Sequence, residues 1–195
     1  MKNGLHRIVA AFIVTLGLVP VAQAGFIGRE LSAEYFYPNL STSYGPALEA
    51  PPVFAVGSGV ETIVNVEGVT TISVDLTDTS ILFDFSTVLN SPTWLSTSFN
   101  GLVFNLTSGA PLDFSSVSID PSSNYAGFDA SRVSFSDSQV TVNWQGLSYN
   151  SDTILLIHFE PVAAQVPEPA TMSLLGLGLL GVVAMRSRRV PWTET

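Results

Sequence analysis

The chain contains no cysteine. That absence excludes thiol catalysis, thiolate metal sites and disulfides, and leaves stability to core packing. Histidine is nearly as scarce, with only His6 and His158. A zinc site would draw on two or three histidines, and a serine triad needs a base with an orienting acid. No G-x-S-x-G elbow is present. Cations are missing from the middle of the chain. Between residues 25 and 160 only Arg29 and Arg132 are basic, while of the sixteen acids all but Glu168 and Glu194 lie there. This stretch is more acidic than the net charge of −9 for the whole chain. Phosphate backbones and anionic lipid are bound by clustered Lys and Arg, so no nucleic-acid partner is expected. Helical periodicity of useful length is also lacking in this stretch.

What is present begins at the N-terminus. Lys2 and Arg7 precede twelve apolar residues, Ile8 to Val19, and Pro20 ends the run. Twelve residues span about 18 Å as a helix, well short of a bilayer core of about 30 Å. Ala22-Gln23-Ala24 has the small-x-small form read by signal peptidase. The expectation is a signal peptide over 1–24, cleaved after Ala24.

The body, residues 25–160, reads as strands. Thr70, Ile72 and Val74 alternate with Thr71, Ser73 and Asp75, and Ile81, Phe83 and Phe85 share one face of "SILFDFS". Period two with Val, Ile, Thr and Phe is the strand signature. Glu67-Gly68, Thr77-Asp78-Thr79 and Asp137-Ser138 are turn candidates between paired runs. Nine or ten short strands with no helix predict an all-β fold, an antiparallel sandwich of jelly-roll-like form. "EAPPVF", Glu49 to Phe54, reads as a stiff loop.

Candidate chemistry in the body is thin. His158 lies in "ILLIHFE" with Leu156 on its own side and Ile157 and Phe159 opposite, which reads as structural. Asp120, Asn124 and Asp129 could offer oxygen ligands to calcium, but their spacing matches no EF-hand loop and turns carry Asp and Asn anyway. Asn39-Leu40-Ser41 and Asn105-Leu106-Thr107 have the glycosylation-acceptor form, a weak pattern. Trp94, Trp144 and the tyrosines either stack on sugars or fill the core, and Trp144 reads as core. Carboxylates are the one plentiful reactive type, and a glycosidase needs only two of them. No metal, cofactor or catalytic residue is expected.

The C-terminal stretch carries the sharpest pattern. Val166-Pro167-Glu168-Pro169 is followed by Ala170 to Met185, an uncharged run of about 24 Å as a helix, and then by Arg186, Arg188 and Arg189. The arginines form a stop oriented by the positive-inside rule. The order of these elements resembles the PEP-CTERM sorting signal of Gram-negative bacteria. The resemblance covers about the last 30 residues. It implies recognition of Val166, Pro167, Glu168 and Pro169 by a membrane-embedded exosortase, with removal of the apolar tail, as happens in GPI-anchored proteins. Val190 to Thr195 extends past the arginines, where such signals usually stop.

The expected organisation is therefore a signal peptide over 1–24, a β-sandwich over 25–160 and a linker with the sorting motif over 161–170. A transmembrane sorting helix over 171–185 and a basic cytoplasmic tail over 186–195 complete it. Signal peptidase and exosortase are the expected transient partners, the inner membrane the temporary anchor and exopolysaccharide the extracellular partner. The expected function is that of a non-enzymatic surface or matrix protein. A carbohydrate-binding module and a glycosidase are the alternatives.

Overall fold

The computed structural model describes residues 24–163 and, of the rest, only Gly178, which is helical. The expectations for Ala22, Val166, Pro167, Glu168, Pro169, Arg186, Arg188 and Arg189 lie outside the described residues. So does nearly all of the expected membrane segment. Among the described residues no helix is long and apolar enough to cross a membrane.

Eleven strands form two sheets. They are β1 (Glu30–Phe36), β2 (Ala47–Ala50), β3 (Val53–Ala55), β4 (Val60–Val66), β5 (Thr70–Leu76) and β6 (Ser80–Thr87), followed by β7 (Gly101–Ser108), β8 (Phe114–Ile119), β9 (Val133–Phe135), β10 (Gln139–Asn143) and β11 (Ile154–Pro161). One sheet has the order β3-β1-β7-β10-β9 and the other β2-β4-β5-β6-β11-β8. Every pairing is antiparallel. The all-β sandwich expected from the sequence is the fold observed.

Period two explains how the sheets face each other. In β5, Thr70, Ile72, Val74 and Leu76 are buried while the residues between them are half-exposed. Ile81, Phe83 and Phe85 of β6 are fully buried, as are Val140 and Val142 of β10. These faces meet in a single core, where Phe83 of one sheet lies 6.2 Å from Phe104 of the other. Trp144, just past β10, is also fully buried and touches Phe83 and Phe85 edge-on.

The turns follow the sequence closely. Glu67 and Gly68 both have positive φ, +56° and +71°, as a two-residue hairpin of the mirror-image type requires. One strand was not legible. Residues 47–50 form β2, an edge strand paired with β4, where the proline-rich "EAPPVF" reads as a loop. Its alternation is weak because an edge strand buries little, and the prolines follow it directly.

The register sorts the loops to two ends. Gly25 to Arg29, the 77–79 turn, residues 109–113 and the end of β11 lie at one. The 37–46 loop, the 67–68 turn, the 88–100 loop and the 144–153 loop lie at the other. Both ends of the described chain leave from the first, here the terminal end. There Gly25 N–H donates to Leu112 O at 3.0 Å and Val162 N–H to Asp113 O at 2.7 Å.

Candidate functional site

At the end opposite the termini, all five tyrosines and both described tryptophans gather, some in the core and some around a cleft of about 160 Å³. Tyr37, Tyr44 and Trp94 supply rings to the cleft wall, and Leu89 and Leu95 flank it with exposed aliphatic surface. Glu67 stands at the rim, and Thr70, Asn100 and Tyr149 lie deeper.

Local backbone bonding fixes these positions. The 88–100 loop pairs with the 144–153 loop through Trp94 N–H to Leu147 O at 2.9 Å, Gly146 N–H to Trp94 O at 3.0 Å and Tyr149 N–H to Pro92 O at 3.0 Å. Thr93 and Ser148 join across the same bridge with their hydroxyls 2.5 Å apart. Trp94 stacks on Tyr149 with ring centres 4.5 Å apart and planes at 12°. Tyr44 N–H donates to Tyr35 O at 2.8 Å, which folds the 37–46 loop over the end of β1. Tyr37 and Tyr44 then meet edge to face at 5.3 Å.

Beneath the cleft runs a buried chain of polar contacts. Trp144 Nε1–H donates to the Tyr35 hydroxyl at 2.8 Å, and that hydroxyl donates to Asn100 Oδ1 at 2.7 Å. Burial pushes the Tyr35 phenol well above its ordinary range, so it stays a neutral donor. At the rim, Tyr44 donates to the Glu67 carboxylate. This bond is the main reason that the Tyr44 phenol is pushed up to about 12. Trp94 Nε1 and the Tyr125 hydroxyl face one another in a geometry short of a hydrogen bond, and neither has another partner.

The residues singled out from the sequence do other work. His158 projects from the outer face beside Leu156, as its phase requires, and its Nε2 lies 2.8 Å from Asp120 Oδ2. Asp120 also accepts the Ser122 N–H at 2.8 Å. Ser122 first, and His158 after it, hold this carboxyl down at about 2. Asn124 binds backbone on both sides, donating to Asp152 O and accepting from Ile154 N–H. Asp129 caps a 3₁₀ turn through Ser131 N–H. The three calcium candidates thus serve three separate backbone turns. Among the described residues no group of three or more His, Asp or Glu side chains is gathered as a metal site would need. Asn39 and Asn105 are engaged too, Asn39 with Ser41 and Thr42 and Asn105 with Gln139.

Sequence reasoning did not find the cleft. Its residues come from four separate stretches of chain, and only the strand register places them together. One local signal existed in Glu67. A hairpin turn with φ positive at both positions favours Asn-Gly, so a glutamate there is unusual.

Neither the curated proteins nor the solved structures compared include a match to this chain. A family model for the PEP-CTERM protein-sorting motif matches residues 165–189. That segment starts three residues after Val162, the residue that pins the last strand at the terminal end. The chain carries a PEP-CTERM sorting motif, which indicates an exported protein sorted by an exosortase at the membrane of a Gram-negative bacterium.

Proposed function

We propose that this is a non-enzymatic cell-surface or extracellular-matrix protein. Signal peptidase cuts after Ala24, the apolar tail holds the chain in the inner membrane, and an exosortase then removes that tail. Val166, Pro167, Glu168 and Pro169 are the recognition site. Pro167 and Pro169 flank the glutamate, and proline disfavours helix at itself and at the residue before it. Arg186, Arg188 and Arg189 hold the tail's far side in the cytoplasm. The observation that carries this reading is the match of residues 165–189 to the sorting motif, which begins four residues past the end of the last strand at Pro161.

Two features support a display role for the sandwich. Both ends of the described residues lie at one end of the sandwich, so attachment through the tail would point the tyrosine-rich end away from the membrane. Several acids are committed to the protein's own backbone. Glu49 accepts from Tyr35 N–H at 2.8 Å, and Glu61 accepts from Gly57 N–H at 3.0 Å and Leu76 N–H at 2.6 Å. The cleft wall includes a single carboxylate, Glu67, whereas glycoside hydrolysis uses two.

The test is the fate of the tail in the native host. Glu168→Ala or Pro167→Ala should leave export intact but give a longer form that stays in the inner membrane. Deleting Val190 to Thr195 should change little. Processing and release of the Glu168→Ala protein at the wild-type level would overturn the sorting role of this site.

A further inference from the structure

We infer that the cleft between Tyr44, Trp94 and Glu67 binds one neutral sugar ring of a glycan. Four observations lead there.

Size comes first. About 160 Å³ is well below the roughly 300–1,000 Å³ of pockets for drug-sized ligands, and it suits a single ring-sized group. Composition comes second. A pyranose has an apolar C–H face and a polar hydroxyl edge. The cleft offers aromatic and aliphatic surface from Tyr37, Tyr44, Leu89 and Leu95, with polar groups at the rim and base. A lipid chain or apolar peptide would take water from the Glu67 carboxylate at the rim and offer it no donor in return.

Charge is third. No cation lines the cleft, and Glu67 is its one ionisable carboxylate. Uronates and sulfated sugars would meet that carboxylate on an acidic body, so the ligand is neutral. A carboxylate offers about four acceptor positions, and the Tyr44 hydroxyl fills one. The others can accept sugar hydroxyls.

Fourth is the backbone beneath Glu67. This residue sits at φ +56°, where asparagine or glycine is the ordinary occupant. A glutamate there is held against its conformational preference, at a turn on the cleft rim. The Trp94 wall is pinned by three backbone hydrogen bonds, so the site is formed before any ligand arrives.

The test uses the exported chain as isolated from its host. Neutral oligosaccharides of glucose, galactose, mannose and N-acetylglucosamine are titrated against it, alongside glucuronate and galacturonate oligomers. Tryptophan fluorescence and calorimetry are the readouts. A one-ring site should give a dissociation constant of about a millimolar for at least one neutral series. Uronates should bind at least tenfold more weakly. Glu67→Asn suits the turn and removes the carboxylate, so it should fold at least as well and bind at least tenfold more weakly. Tyr44→Ala should do the same to binding with an unchanged circular dichroism spectrum. His158→Ala, on an outer sheet face, should bind as wild type.

Several results would overturn the assignment. They are no binding by any neutral series, equal binding of uronates, or binding that survives both cleft substitutions. Preferential binding of phosphatidylcholine vesicles or of an apolar peptide would do the same. None of these readouts depends on tail processing, so this inference and the sorting role fail separately.

Discussion

The two ends of the sandwich are built from different aromatics. At the terminal end Phe26, Phe114 and Phe159 pack with ring centres 4.8 to 5.3 Å apart, and Phe26 and Phe159 are almost fully buried. At the opposite end tyrosine and tryptophan dominate, and a cleft remains. Phenylalanine has no polar atom to satisfy, so a phenylalanine cluster can close completely. A tyrosine or tryptophan carries a hydroxyl or N–H that costs free energy when buried without a partner, as Trp94 Nε1 and the Tyr125 hydroxyl are here. The terminal end is therefore a plug that anchors both chain ends. The far end is a polar-edged opening, with Tyr35, Asn100 and Trp144 satisfied beneath it and Tyr37 and Tyr44 at its mouth.

The largest expected effect tests whether the strands at the open end are as closely set as they look. A methyl group on Gly101, at the start of β7, would lie 1.9 Å from Val142 O and 3.2 Å from Asn143 Cα. Both are backbone atoms of the neighbouring strand, so nothing flexible can yield. Gly101→Ala should cost more than about 4 kcal/mol in urea unfolding, or abolish the folded protein. A cost below about 1 kcal/mol would mean that β7 and β10 can separate there.

Next comes the contrast itself. Phe26→Ala should destabilise by about 3–5 kcal/mol, because a fully buried ring leaves a cavity. Tyr37→Ala at the cleft mouth should cost only about 1 kcal/mol, since its ring is part-exposed. Equal losses would break the distinction between plug and opening.

Within the open end, two removals of a hydroxyl should differ. Tyr35→Phe leaves Trp144 Nε1 and Asn100 Oδ1 without their shared partner and should cost about 1–3 kcal/mol. Tyr125→Phe deletes a buried hydroxyl that makes no hydrogen bond, so its effect should stay within about 1 kcal/mol of zero. Thermal unfolding of the two variants side by side is the check.

The smallest expected effect lies away from both ends. Asp120 is held at about 2, below its ordinary 3.8. A carboxyl depressed in the folded state stabilises fully above its unfolded value, and that contribution is lost as pH falls from about 4 toward about 2. Asp120→Asn should flatten the stability curve in that window and leave its shape above pH 5 unchanged. An unaltered acid limb would show that Ser122 and His158 do not hold the carboxylate as described.

Much of this molecule was legible in the order of its residues. Alternation in "VTTISVD" and "SILFDFS" marked β5 and β6 because one face of each is buried, and period two survives wherever that holds. The Glu67-Gly68 turn was visible from its chemistry. The sorting motif was legible because it is linear: prolines, an acid, an apolar run and arginines are read in sequence order. His158 took the outward phase that its neighbours dictated. Its pairing with Asp120 did not follow from phase, since it depends on β8 lying beside β11.

What only the tertiary structure decided is the gathering of distant residues. Tyr37 and Tyr44 share one loop, while Glu67, Trp94 and Tyr149 come from three others, and the five have no common spacing. They meet because antiparallel register sends alternate loops to the same end of the sandwich. The same register brings Gly25 and Val162 together at the other end, beside Leu112 and Asp113. Local sequence encodes which face of a strand is apolar. Which ends coincide depends on pairings between strands far apart in the chain, and those are fixed only when the core closes.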